Sequence, residues 1–218
     1  MTMTLIEQLN AVIIAIAKDI SKNSGNSGGS NSDISDNSAL LPRKIGGKWY
    51  KSGLRHGAEY PYQYVASLSS FRGGAQYFIP FTALEDATII GLEVYCSDAV
   101  ANTTISLGIY ASDDYNDVAA PLFTSSPISC ATTGAKNASC KVQIKKGKVY
   151  WLSSLSIGGS PSFYCTPGSL FSIKGCTSTT TTAPIGYSTS GNTSMAQSVP
   201  TNKADVSAGA PRVLFITS

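Results

Sequence analysis

Apolar residues recur along this chain with two different periods. Between Thr4 and Ile20 (TLIEQLNAVIIAIAKDI) the spacing alternates three and four: with Ile6, Ile13 and Ile20 at a positions, Leu9 and Ile16 fall at d, the seam of a two-heptad coiled coil. Leu5 and Val12 at g and Ala17 at e widen the stripe. Isoleucine at a, with Leu and Ile at d, shifts preference from two strands toward three or four. Thr4 followed by Glu7 reads as a capping box that starts the helix. The pattern predicts an N-terminal helix within residues 1–22. Isolated helices shorter than about 12–15 residues are marginal in water, so this one is expected to join a trimer or to dock into another protein. The plain alternative is a helix folded back on its own domain.

The segment that follows, SKNSGNSGGSNSDISDNS, has almost nothing to bury. It reads as a flexible Ser/Asn/Gly linker over residues 23–43, and a chain of that composition reaches over about 20 Å. It separates an anchor from a head.

From residue 44 the period changes to two. In QYFIPF, Tyr77, Ile79 and Phe81 share a face, and Pro80 argues for an edge or a strand end. TIIGLEVYC alternates so that Ile90, Leu92, Val94 and Cys96 point one way, and TISLGIY does the same with Ile105, Leu107 and Ile109. SDDYNDVAAP is a turn cluster before the short strand PLFTSS. KVQIKKGKVYWLSSLSI reads as a hairpin turning at KKGK, with Val142, Ile144, Val149, Trp151 and Leu155 inward. Residues 177–210, rich in Ser and Thr, are read either as a loop or as two further strands, and RVLFITS is a closing strand. Seven or eight short strands over residues 44–218 predict a mainly β fold, a jelly-roll-like β-sandwich.

Charge narrows the partners. The net charge is +3 and only 13% of residues are charged, against roughly 25% in typical domains. The lysines are scattered apart from KKGK at 145–148, so there is no basic stripe for nucleic acid. The N-terminal apolar run is shorter than the ~20 residues that span a bilayer. The first basic residue, Lys18, comes after it instead of before it as in a secretory signal. Membrane insertion is therefore not expected.

Chemistry-bearing residues are sparse. The single histidine, His56, lies in LRHGAEY with no nucleophile elbow nearby, and is expected to be a satisfied or exposed loop residue. Asp113, Asp114 and Asp117 lack the Gly and closing Glu of an EF-hand loop, so an ordinary polar turn is favoured over a metal site. The cysteines, Cys96, Cys130, Cys140, Cys165 and Cys176, are odd in number and contain no CxxC. Cys96 reads as a buried thiol, while Cys130 with Cys140, and Cys165 with Cys176, bracket short turns that would allow bridges. No catalytic residue, metal or cofactor is expected.

The order GKWY, YFIPF, ATIIGLEVY, ISLGIYASDDYNDVAAPLF, KVYWLSSLS, covering Gly47 to about Leu155, resembles the C-terminal β-sandwich of tail and fibre proteins of tailed bacteriophages. A helix similar to LIEQLNAVIIAIAKDI often precedes that sandwich. This chain departs from the pattern in having no glycine between Asp113 and Pro121 and in its five cysteines. The resemblance implies a virion protein assembled in the bacterial cytoplasm: a homotrimeric short fibre or tail appendage anchored to other virion proteins through Leu5, Ile6, Leu9, Val12, Ile13, Ile16 and Ile20. A capsid head-fibre or decoration protein of the same build, or a freestanding carbohydrate-binding module, are the alternatives. Host surface glycan is a candidate ligand, with the loop aromatics Tyr60, Tyr62, Tyr64, Tyr115 and Tyr187 as candidate contacts; as plainly, these rings cover core edges or a trimer interface.

Overall fold

The structure, a computed structural model, describes residues 49–58, 68–166, 184–206 and 209–218, with the side chains of 68–70 and 166 outside that description. All of these belong to the unit Arg43–Ser218. The expected helix and linker, and with them every anchoring residue from Leu5 to Ile20, lie outside the described residues.

Fourteen strands occur among the described residues: β1 (Arg55–His56), β2 (Leu68–Ser70), β3 (Gln76–Thr82), β4 (Ala87–Asp98), β5 (Thr104–Ser112), β6 (Val118–Thr124), β7 (Ile128–Ser129), β8 (Gly134–Ile144), β9 (Val149–Ile157), β10 (Ser162–Thr166), β11 (Gly186–Thr189), β12 (Ala204–Val206), β13 (Ala210–Pro211) and β14 (Leu214–Thr217). They form two antiparallel sheets. In sheet I, β8 runs along one side of β4; β14 and then β10 run along the other, with β1, β2 and β13 attached outside them. Sheet II has the order β12-β11-β3-β9-β5-β6, with β7 also on β5. The region left open as loop or strand contributes β11 and β12, and the closing strand β14 lies inside sheet I between β1 and β4.

The sheets pack face to face. Ile89, Leu92, Val94 and Cys96 of β4 and Phe215 of β14 meet Ile105, Leu107 and Ile109 of β5 and Leu152 of β9, all 1% exposed or less. Phe81 stacks on Phe215 across the gap, ring centroids 4.9 Å apart. Each such side chain contributes about 1.5–3 kcal/mol by leaving water.

The KKGK segment does not close a hairpin. β8 pairs with β4 in sheet I and β9 pairs with β3 and β5 in sheet II, so Lys145–Lys148 crosses between the sheets. The β3–β4 link, Ala83–Asp86, crosses beside it. Gly147 N donates to Ala83 O (2.7 Å) and Ala83 N to Lys148 O (2.9 Å), while Asp86 accepts from Lys146 N (2.7 Å) and Lys145 Nζ (2.9 Å). The two crossings form one bent two-stranded ribbon, which alternation along either strand alone does not reveal.

Two expected facings are reversed. Ile90 is 42% exposed, whereas Ile89 is fully buried. The β4–β14 register slips between Ile216 and Thr217 opposite Gly91 and Ile89, leaving Ile90 as an extra residue on β4; such a bulge resets the alternation behind it. Trp151 and Leu155 are buried, but on the outer face of sheet II, while Tyr150 and Leu152 of the same strand face the core between the sheets. The expectation for Pro80 holds locally: among the described residues β11 covers only Gln76–Phe78 of β3, so no described strand pairs with the side of Pro80 away from β9.

These facings set an expected contrast between neighbours. Ile89→Ala should cost about 2–5 kcal/mol, as for large-to-small changes in a packed core, and Ile90→Ala less than about 1 kcal/mol. Urea midpoints at unchanged m-value check it; equal losses would contradict the bulge.

Candidate functional site

The described residues place the expected site residues apart. Tyr60, Tyr62 and Tyr64 lie outside them. Tyr187 is on strand β11 instead of a loop: its ring stacks on Trp151 (5.3 Å, 21°), carries Lys203 Nζ 4.9 Å from its centroid, and shares a hydrogen bond with Asp117. That is the core-covering role. His56 is also on a strand, 5% exposed, packed against Tyr50 and Phe215 with Nε2 3.2 Å from Lys51 O.

Tyr115 is different. It is 92% exposed at the tip of the β5–β6 turn. Asp113 Oδ1 accepts from Tyr115 N (2.9 Å) and Asp117 N (2.8 Å), Asn116 N donates to Asp113 O (3.1 Å), and Asn116 takes φ +60°. Asn tolerates the left-handed conformation and Asp caps its own turn, so the turn closes without a glycine. Asp117 Oδ2 meets Lys203 Nζ at 2.8 Å. Its partial burial opposes ionisation, but Lys203 and the Val118 amide win and hold the carboxyl below its usual range. These carboxylates are tied into the turn.

Lys203 directly follows Thr201 and Asn202, which with Thr189, Ser190, Asn192 and Ser198 line a polar cleft of about 340 Å³. The cleft lies in residues 190–203, a segment the sequence did not assign. It crosses the outer face of sheet II and buries Phe78, Tyr110, Trp151 and Leu155 beneath Met195. Gly108 makes the seat, since a Cβ there would stand 2.7 Å from Met195 Cε.

A buried polar group fastens this flap. Gln76, wholly inaccessible, donates from Nε2 to Tyr110 Oη (3.0 Å) and Ser153 Oγ (3.0 Å), and its Oε1 accepts from Ala196 N (3.1 Å); Tyr110 Oη donates to Ala196 O (2.6 Å). Asn192 bonds Gly74 O from N (3.0 Å) and Nδ2 (3.1 Å) at the near end, and Gln197 reaches Thr124 of β6 (3.4 Å) at the far end. A lone Gln beginning an apolar strand was the available signal, but its partners lie up to 120 residues away.

Three of the thiols are held in protonation-favouring surroundings. Cys96, Cys130 and Cys140 are free, and Cys130 neighbours Cys96, not Cys140. β8 runs straight from Gly134, opposite Cys96, and carries Cys140 six residues on, roughly 20 Å, where its thiol donates to Ile89 O. Burial pushes the thiol of Cys130 up to about 12 and that of Cys140 up to about 11, leaving neither as a nucleophile at neutral pH. Cys176 lies outside the described residues.

No family model matches the chain, and no curated protein matches it. Among solved structures, that of infectious bursal disease virus, Gt strain, is similar over 77% of this chain and 42% of that one, at 14% identity and a TM-score of 0.30. This chain thus spans less than half the length of that one.

Gln76→Leu leaves the Ala196 amide and its neighbours without their buried partner, and should cost about 2–4 kcal/mol, with amide exchange at 192–197 rising before the sheets open. Stability should also fall at high pH. Burial raises the Tyr110 phenol to about 12, so the folded chain holds that proton more tightly than the unfolded one. The stabilisation is complete below the ordinary tyrosine value near 10 and is lost between there and about 12, roughly 2–3 kcal/mol from this group. Denaturant midpoints at pH 9 and 11.5 check the sign; a rise would refute it.

Proposed function

We propose that this protein is a structural component of a tailed-bacteriophage virion: a trimeric short fibre or tail appendage. In this reading residues 4–20 anchor it to the particle and a jelly-roll-type sandwich is its displayed head. The reading rests on the coiled-coil seam, the linker and the sequence resemblance. The structural observation that supports it is that the reactive groups of the head serve its own rigidity: the one histidine is packed on aromatic rings, Cys96 and Cys130 are buried, and Asp113 and Asp117 brace a turn. Such a head works by shape and repetition, since three copies on one stem raise effective affinity without new contacts.

The ends of the sandwich differ. Trp49 and Tyr50 donate their amides to Glu85 at the sheet crossings (3.1 and 2.9 Å). Because Thr82 pairs with Val149 and Ala111 with Tyr150, the Tyr115 turn lies at that same end. Trp49 therefore lies at the end that carries Tyr115. That ring suits contact with the particle or a neighbouring subunit, and the loops at the opposite end, residues 72–75, 98–103 and 158–160, suit an external ligand such as host glycan.

Light scattering on the full chain should give a mass near three times 22.8 kDa, and Ile13→Lys, which puts a charge in the seam, should abolish the trimer. A full-length monomer at micromolar concentration, together with failure to bind purified particles, would end this reading.

A further inference from the structure

The flap over sheet II does more than cover it. Met195 fills the space above Gly108, and Asn192, Ala196 and Gln197 are each fastened by hydrogen bonds to groups outside the flap. Between these anchors it leaves the cleft of about 340 Å³ open, a volume within the range of small-ligand sites, about 300–1,000 Å³. Its polar lining is made of hydroxyls and carboxamides, and the side chains of Ser190, Ser198, Thr201 and Asn202 direct no hydrogen bond to any described residue. Val199, 53% exposed, and Pro200 give it an apolar wall. No charged side chain lines it among the described residues. Lys203, next in the chain, is turned to Asp117 at 2.8 Å and lies over the Tyr187 ring.

We infer that this cleft binds an uncharged sugar unit of a glycan. The chemistry of the lining selects that ligand. Serine and threonine hydroxyls and the asparagine carboxamide both donate and accept, as sugar hydroxyls do, and the C–H face of a sugar ring matches the wall of Val199 and Pro200. A carboxylate or phosphate would find no cation in the cleft and an ammonium no carboxylate, and burying either unpaired is costly. A wholly apolar ligand would strip water from the hydroxyls and leave them without partners. The position agrees with the chemistry. Thr189 pairs with Gln76, and Asn192 Nδ2 donates to Gly74 O, so the cleft lies beside residues 72–75, at the end of the sandwich away from Tyr115. The inference rests on the reading that this end meets an external glycan, and it adds which surface does so and that the sugar carries no charge. Because the anchors hold the walls in place beforehand, little ordering opposes binding. A few neutral hydrogen bonds give millimolar affinity for one sugar unit, which repeated heads multiply.

Saturation-transfer difference NMR on the full chain tests it, with D-glucose, D-galactose and N-acetyl-D-glucosamine as uncharged probes and N-acetylneuraminic acid and D-glucosamine as charged ones. The expected result is transfer to an uncharged sugar and to neither charged one. Thr201→Trp fills the cleft from an exposed position without touching an anchor, and should abolish that transfer. Asn202→Gly keeps the left-handed backbone at φ +54° and removes the carboxamide, and should weaken binding about three- to tenfold. Ser160→Trp, exposed on the 158–160 loop of the same end, should leave binding unchanged. Urea midpoints equal to that of the parent chain establish that each variant is folded. Transfer that Ser160→Trp abolishes, or that survives both cleft variants, overturns the assignment of this cleft and leaves the glycan reading of this end standing. Transfer to a charged probe alone overturns the uncharged ligand. No transfer to any probe overturns the inference together with glycan as the ligand of this end, and the mass of the same sample by light scattering decides the trimeric reading separately.

Discussion

The buried amide of Gln76 is the interaction on which the outer half of this molecule depends. Sheet II has large apolar side chains on both faces, so a two-layer sandwich would leave Phe78, Tyr110, Trp151 and Leu155 in water. A third layer is obligatory. It is supplied by fourteen residues, 190–203, with no regular strand or helix, and such a segment brings backbone amides and carbonyls that need partners once buried. Gln76 and Tyr110 between them satisfy the N–H and the C=O of Ala196, and Met195 fills the space over Gly108. Apolar burial supplies the driving force, and these bonds choose the register in which the flap lies.

A second constraint is geometric. The strand pairs β3/β9 and β4/β8 are one ribbon bent between the sheets at Ala83–Asp86 and Lys145–Lys148. At such a bend the ladder is interrupted, and its backbone groups find other partners: Asp86 takes the Lys146 amide, Tyr150 Oη the Lys145 amide, Tyr50 Oη that of Leu84, and Glu85 those of Trp49 and Tyr50. The segment leading in from the N-terminal residues is thus clamped to the corner that holds the sheets together. Tension on that segment reaches the core through these hydrogen bonds.

The faces divide the labour. Sheet II is closed by its own flap, with Tyr187 and Lys203 sealing the edge over Trp151, so one of the candidate contact rings, Tyr187, is engaged within the fold. Sheet I keeps Tyr95, Tyr164 and Ile90 outside, and Tyr115 stands alone on its braced turn.

The sequence by itself determined the two-fold periodicity and with it the strands. Ile105, Leu107 and Ile109 point inward as their alternation requires, and RVLFITS ends the chain within a sheet. It also determined the chain's supply of reactive side chains, one histidine and five cysteines. It did not determine which way β9 faces. VYWLSSLS is buried on both sides, and alternation cannot distinguish two buried faces. Nor did it distinguish the Lys145–Lys148 crossing from a hairpin, since both need a short polar turn and differ only in which strands lie alongside. The outward Ile90 depends on a register slip against β14, more than a hundred residues on. The flap depends on Gln76 meeting Ala196 across 120 residues. Local patterning encodes what each residue prefers; which partners satisfy those preferences is decided only when distant strands are brought together.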